Sequence, residues 1–519
     1  MPFFPRVFTT AILLFAGAAA SAQMCPPRPV PGSVVADPYL VASQSGALNL
    51  ALTIHNYDDF AGDHFYCYNY QGVAEAPTLQ VDPGDAVSLT LKNNIQGLST
   101  APMMHSHENA SSADPCHGVM TDSSTNIHYH GLNLPPICHQ DEAIFTLINP
   151  TDAPFHYNFK IPANEPPGLY WYHPHPHGIT LTQLSGGANG AIVVTGIEKV
   201  KPQVAGLTQR IMIFRDQPAS GGDPDAGGLT LNFVPIEKPI GPNPTIQMGP
   251  SEKQFWRVLN ATAGRPLRLK VNINNVAQPL ELIELDSVPV AGDPTVTEIT
   301  IPPAGRAEFI VQGPPDGASG ELDAGMVFTG KDGDPDVAQS LATIVATSNA
   351  STRGTAIPQA SPQTTPVRFA DLATQPANTI RQLYFSEDLS DPDHPKFYVT
   401  VKGQKPMLFD PNEPPAIVTK QGAVEDWIIQ NRSQEIHAFH IHQIHFMLLA
   451  KNGVALDTPT VQDTVLVDPW DGKSSTYPSV KVRMDFRYPE SVGTFLYHCH
   501  LVDHEDGGMM AKIEVDPAN

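Results

Sequence analysis

Ten of the 20 histidines in this chain fall into four short clusters. They are His128-Tyr129-His130, His173-Pro174-His175, His437-Ala438-Phe439-His440-Ile441-His442, and His498-Cys499-His500 followed by His504. On a β-strand, side chains two residues apart face the same way and lie about 7 Å apart, so each His-x-His offers two imidazoles to one face. Four such pairs supply eight nitrogen donors. Imidazoles combined with soft sulfur favour copper over zinc or calcium.

The same alternation sends Cys499 to the opposite side of its strand from His498 and His500, so one tripeptide serves two metal sites. On the Cys499 side, His504 follows five residues on and Met509 ten residues on. Together with His437 they form the two-His, one-Cys set with a weak thioether that defines blue copper, a site that moves single electrons. His55, His64, His156 and His394 are read as ordinary surface or core residues. His105, His107, His117, His139, His177 and His445 lie near the clusters without fitting the ligand pattern, and the loop Met103 to His107 is a candidate for an extra metal.

The elements that must carry these ligands are strands. A turn, an alternating strand and a closing Asn occur three times, at Pro83 to Asn93, Glu252 to Asn260 and Gly422 to Asn431. A second phrase, Gly168 to His175, returns only in the last third, as Gly493 to His500, so the middle third keeps the strands and lacks the histidines. With 52 Pro, 39 Gly and no long amphipathic helical run, the chain reads as all-β. The expected architecture is three consecutive cupredoxin-like Greek-key β-sandwiches. Their expected limits are residues 23–200, 201–350 (a spacer without copper ligands) and 376–519, with a Ser, Thr, Pro and Ala-rich linker at 351–375.

The N-terminus carries Arg6, an apolar run from Val7 to Ala20 and the small-x-small end Ala20-Ser21-Ala22, the pattern of a signal peptide over residues 1–22. Export to the periplasm or the medium is expected, without a membrane anchor, because the apolar run falls short of the ~20 residues a span needs. In an oxidising compartment, four of the five cysteines can form two disulfides. Three connectivities are open; Cys25 with Cys67 and Cys116 with Cys138 is the expected one, leaving Cys499 free. A formal charge of −23 argues against nucleic acid or anionic membrane as a partner and suits solubility or the approach of cations. A monomer is expected.

In these motifs the chain resembles the multicopper oxidases, the family of laccases, cuprous oxidases, ferroxidases and bilirubin oxidases. The resemblance implies four copper ions. His437, Cys499, His504 and Met509 would hold the type 1 copper. His128 and His440 would hold the type 2 copper, and His130, His173, His175, His442, His498 and His500 the type 3 pair. It further implies an oxidoreductase with dioxygen as acceptor, in which electrons from a phenolic or similar donor pass along Cys499 to His498 or His500, and dioxygen is reduced to water. Proton delivery would fall to Glu505, which resembles the family's acidic position, or to Asp141, which sits two residues later than its counterpart in many relatives. An axial Met resembles bacterial members and implies a modest potential. Tyr129 stands for the frequent Trp, Ala438 for the frequent Pro and Gln443 for the usual Gly. A cuprous or ferrous ion oxidase is the main alternative, although the third domain has no Met-rich insertion. A copper-free scaffold conflicts with the filled ligand positions, and a nitrite reductase conflicts with the type 3 histidines.

Overall fold

A computed structural model describes residues 25–58, 64–103, 110–111, 113–217, 228–237, 241–348, 354–359 and 368–518. The expected signal peptide and the His105 and His107 positions lie outside these residues. The regular secondary structure of the described chain is almost entirely strand, with a few short helices. Six sheets follow one another in pairs: two from strands between Leu40 and Val194, two between Thr208 and Ala346, and two between Thr379 and Asp516. Among the described residues no helix is long and apolar enough to cross a membrane.

Each pair closes over its own core, because period-2 alternation turns one face of each sheet inward. In the first, Leu48, Leu50 and Leu52 meet Leu79, Tyr170 and Ile192. In the second, Met212 and Trp256 meet Leu269 and Ile344. In the third, Leu383 and Trp427 meet Phe439, Tyr497 and Ile513. Disulfides join Cys25 to Cys67 and Cys116 to Cys138, leaving Cys499 as the free, buried cysteine among the described residues.

The threefold repeat is structural. Its copies are the strands Ala86–Asn93, Lys253–Ala261 and Val424–Asn431, and each runs parallel to the first strand in sequence of its own sheet. The closing Asn makes the same three bonds in every copy. Asn93 donates its amide to the carbonyls of Ser123 and Ile148 and accepts from the Ile95 N–H. Asn260 uses Arg265, Ile301 and Thr262 in the same roles. Asn431 uses Glu435, Val467 and Ser433. A buried amide satisfied in this way pins the loop after the strand. In the third copy that loop leads straight into His437.

The middle pair is more than a separator, since it sends Arg306, from the strand Arg306–Gln312, and Asp286 into contact with the third pair. Part of the stretch read as a linker is also ordered, with Phe369 and Leu372 packed against Val424 and Met447.

Candidate metal centre

The ligand pairs are brought together by short antiparallel ladders. His128 and His173 exchange backbone hydrogen bonds of 2.8 and 3.1 Å, which sets the first two clusters side by side. In the third pair the strand His437–Ile441 lies against Gly493–Cys499, with Phe439 opposite Cys499 and His440 opposite His498. Rings from the two ends of the chain then interleave: His128 stacks on His442 with centroids 3.8 Å apart, and His130 on His440 at 3.9 Å.

Four buried groups of potential ligand atoms result. They are His128, His130 and His440; His130, His173 and His500; His175, His442 and His498; and His437, Cys499 and His504. The strand alternation works as the sequence implies, with His498 and His500 in two different imidazole groups and Cys499 on the other side with His437 and His504. Met509 is buried in the same core as Cys499, and its carbonyl accepts the Cys499 N–H at 3.1 Å.

The chemistry of these rings fits a metal. In a ligating histidine, one ring nitrogen is held by a protein acceptor and the other is left free. Here His128 Nδ1 is held by Asp141 Oδ1 at 3.0 Å, His173 Nδ1 by the Pro174 carbonyl at 2.9 Å, and His440 Nδ1 by the Asp463 carbonyl at 2.8 Å. His130 Nε2 lies 3.3 Å from Asp463 Oδ1. The opposite nitrogens, His128 Nε2, His130 Nδ1, His173 Nε2 and His440 Nε2, are buried without a hydrogen-bond partner. Burial, followed by the neighbouring imidazoles, pushes the pKa values of His130, His173, His440 and His442 well below the usual range. Burial first also takes His175 to about 4 and His500 to about 3. Neutral imidazoles with open lone pairs are what a metal requires.

On the cysteine side, Cys499 Sγ lies 3.6 Å from His437 Nδ1 and 3.8 Å from His504 Nδ1, and these two nitrogens are 3.2 Å apart. Burial raises the Cys499 thiol, but His437 and His504 more than offset this and hold it at about 6. The outer nitrogens face oxygens: His437 Nε2 is 2.6 Å from Ser433 Oγ and 3.1 Å from Glu387 Oε1, and His504 Nε2 is 3.3 Å from Glu435 Oε2 and 3.6 Å from Asp503 Oδ2. Phe397 stacks on His504 at 4.1 Å.

Both sequence-nominated carboxylates reach the imidazoles. Glu505, on the short helix Val502–Asp506, lies 3.3 Å from His175 Nε2 and 3.1 Å from His498 Nδ1. Burial raises its pKa, but the two histidines outweigh burial and carry it well below the carboxylate range. Asp141 holds His128 from the other side. Among the residues that sequence reasoning missed are Asp463, Arg306, Glu387 and Glu435, none of which has a motif signal. His445 proves to be buried beside the centre, with Nε2 2.9 Å from the Asp286 carbonyl and 3.5 Å from Asp463 Oδ2. Among the described residues, the remaining group of suitable side chains, Cys116, Cys138 and His139, is a disulfide with a histidine beside it.

Two multicopper oxidase family models match, over residues 118–199 and 377–519, the segments that carry all four histidine clusters. The chain belongs to the multicopper oxidase family. It is therefore a copper-dependent oxidoreductase that reduces dioxygen. Relatives cover most of this multicopper oxidase at low identity. One from Staphylococcus haemolyticus is 25% identical over 461 residues, covering 86% of this chain and 83% of its own. A laccase from Haloferax volcanii is 22% identical, with 86% and 78% covered. In three dimensions, a Campylobacter jejuni multicopper oxidase described as a metallo-oxidase superposes with a TM-score of 0.69 at 22% identity, covering 94% of this chain and 96% of its own.

Proposed function

We propose that this multicopper oxidase is a laccase-type enzyme with four copper ions that takes electrons one at a time from phenolic or similar donors. His437, Cys499, His504 and Met509 would hold the ion that receives electrons. His128 and His440 would hold a second, His130, His173 and His500 a third, and His175, His442 and His498 a fourth. When bound, copper would supply single-electron chemistry on the cysteine side and dioxygen reduction among the imidazoles.

The observation that carries this reading is the tripeptide His498-Cys499-His500, whose side chains enter one sulfur-containing group and two imidazole groups. Its backbone is the covalent link between the place where a donor gives up an electron and the place where dioxygen is consumed. The chain's own groups manage the protons. Glu505 is within reach of two imidazoles and can pass a proton inward, while Glu435 and Asp503, beside His504, can accept the proton that a phenol releases on oxidation. The exposed Met326 and Phe328 offer apolar surface next to Thr329, whose carbonyl accepts the Ile436 N–H.

A second reading, oxidation of Cu(I) or Fe(II), draws support from charge. Glu387, Glu435 and Asp503 surround the outer nitrogens of His437 and His504. A nearby cleft of about 250 Å³ is lined by Asp216, Asp334, Asp336 and Asp503, with Arg265 among them. Export to the periplasm or the medium and a monomeric state belong to either reading.

Oxygen uptake by the copper-loaded mature chain tests the choice, with a dimethoxyphenol, Cu(I) or Fe(II) as sole donor. Uptake driven mainly by the phenol supports the laccase reading, and uptake driven mainly by a metal ion replaces it with the second.

A further inference from the structure

Gln443 follows the last histidine of the third cluster in a left-handed backbone conformation, φ +58°, where side-chain-bearing residues are disfavoured and glycine is at ease. It is only 3% exposed, so neither solvent contact nor a flexible loop accounts for it. A strained, buried polar residue persists where its side chain is needed.

That side chain crosses from the third sheet pair to the first. Its Nε2 donates to Asp141 Oδ2 at 2.6 Å and approaches the Asp141 carbonyl at 3.2 Å. The other carboxylate oxygen of Asp141 accepts from His128 Nδ1 at 3.0 Å and from the Tyr129 N–H at 2.8 Å. Both oxygens are thus committed, one to His128 and its neighbour, the other to Gln443. Reversing the amide would set Oε1 against the carboxylate, oxygen facing oxygen, so the amide orientation is fixed by its partner. Without this donor, Oδ2 would be a buried carboxylate oxygen whose supporting bond is lost, and the carboxylate could turn away from His128.

We propose that Gln443 is a positioning residue for the His128 side of the metal centre: it fixes the Asp141 carboxylate, and Asp141 fixes the His128 ring. This inference rests on the copper assignment made above. A carboxylate behind a ligating histidine sets ring orientation and basicity, and a partner that clamps the carboxylate acts one step further out.

The test compares the copper-loaded full chain with Gln443→Gly, which removes both the strain and the donor, and Gln443→Met, which keeps the bulk and removes only the donor. Electron paramagnetic resonance of the type 2 copper and its rate of loss to a chelator are the readouts, with thermal unfolding alongside. Both variants are expected to change the type 2 hyperfine splitting and to lose that copper roughly tenfold faster, the lower end for outer partners of a metal ligand. Gln443→Gly should do so without unfolding at a lower temperature. Parent-like spectra and loss rates in either variant would overturn the proposal, as would a lowered unfolding temperature with an unchanged spectrum, which would mark Gln443 as a plain structural link. A parent enzyme with no type 2 signal at all would overturn the copper assignment, and this inference with it.

Discussion

Arg306 lays its guanidinium against both carboxylate oxygens of Asp463, with Nη1 2.7 Å from Oδ1 and Nη2 2.6 Å from Oδ2, although the two residues belong to different sheet pairs. Both are fully buried. Asp463 in turn faces His130 with its carboxylate and holds His440 with its backbone carbonyl. One bidentate ion pair therefore ties all three sheet pairs together at the metal centre.

Removing one partner of a buried ion pair leaves the other charge uncompensated, at a cost of about 3–5 kcal/mol. Arg306→Met should lose stability on that scale, with Asp463 and Asp286 left facing each other. Arg306→Lys keeps the charge but not the fork and should lose less. Urea denaturation of the copper-free proteins checks this; equal stability of parent and Arg306→Met would show that the pair contributes nothing net.

Glu505 is held ionised against two imidazoles, so its carboxylate is placed to accept a proton at the centre and pass it on. Glu505→Gln keeps the shape and removes the carboxylate that accepts and releases the proton. Steady-state oxygen consumption should fall about 10²-fold, the lower range for a positioned acid–base group. Anaerobic reduction by the donor, which involves the cysteine side alone, should proceed at the parent rate. Rapid mixing separates the two steps, and a matched slowing of both would argue that Glu505 shapes the whole site instead.

Cys499 is the one sulfur shared by the strand and the electron-receiving group. Cys499→Ser should abolish blue absorption and donor oxidation, while the imidazole groups, whose free nitrogens do not depend on the thiol, retain their metal. Metal analysis beside the visible spectrum tests this. Loss of all copper would mean that the imidazole groups do not assemble independently.

The grouping of the histidines and Cys499 was legible because a two-residue period on a strand puts both histidines of each pair on one face and Cys499 on the other. The all-β fold was legible from the repeated strands for a similar reason. The repeated Asn was visible as a pattern, but its purpose appears only when Asn93, Asn260 and Asn431 are seen making the same three bonds. What stayed hidden is what periodicity cannot express, namely which faces of distant sheets meet. Arg306 and Asp463 are 157 residues apart, and Gln443 and Asp141 are 302 apart. The middle third, read as a spacer because it lacks histidines, contributes a charge to the centre rather than a ligand, and no local spacing marks such a residue.

Asp216 gives a pH dependence away from the metal ligands. Burial raises its carboxyl from 3.8 to about 6, against the opposing pull of the Ala263 N–H and Arg265. Between roughly pH 4 and 6 the folded chain keeps a proton that the unfolded chain has released, so this group's contribution to stability falls as pH rises through that window. Above pH 6 the penalty is constant. At about 1.4 kcal/mol per pKa unit it is at most about 3 kcal/mol, and less where solvent reaches the part-buried side chain. Asp216→Asn keeps an oxygen for the Ala263 N–H and removes the titration. The variant should match the parent near pH 4, exceed it at pH 8, and show a flatter stability curve between. Urea midpoints at the two pH values measure this, and parallel curves for the two proteins would show that Asp216 ionises in the folded chain as freely as in the unfolded one.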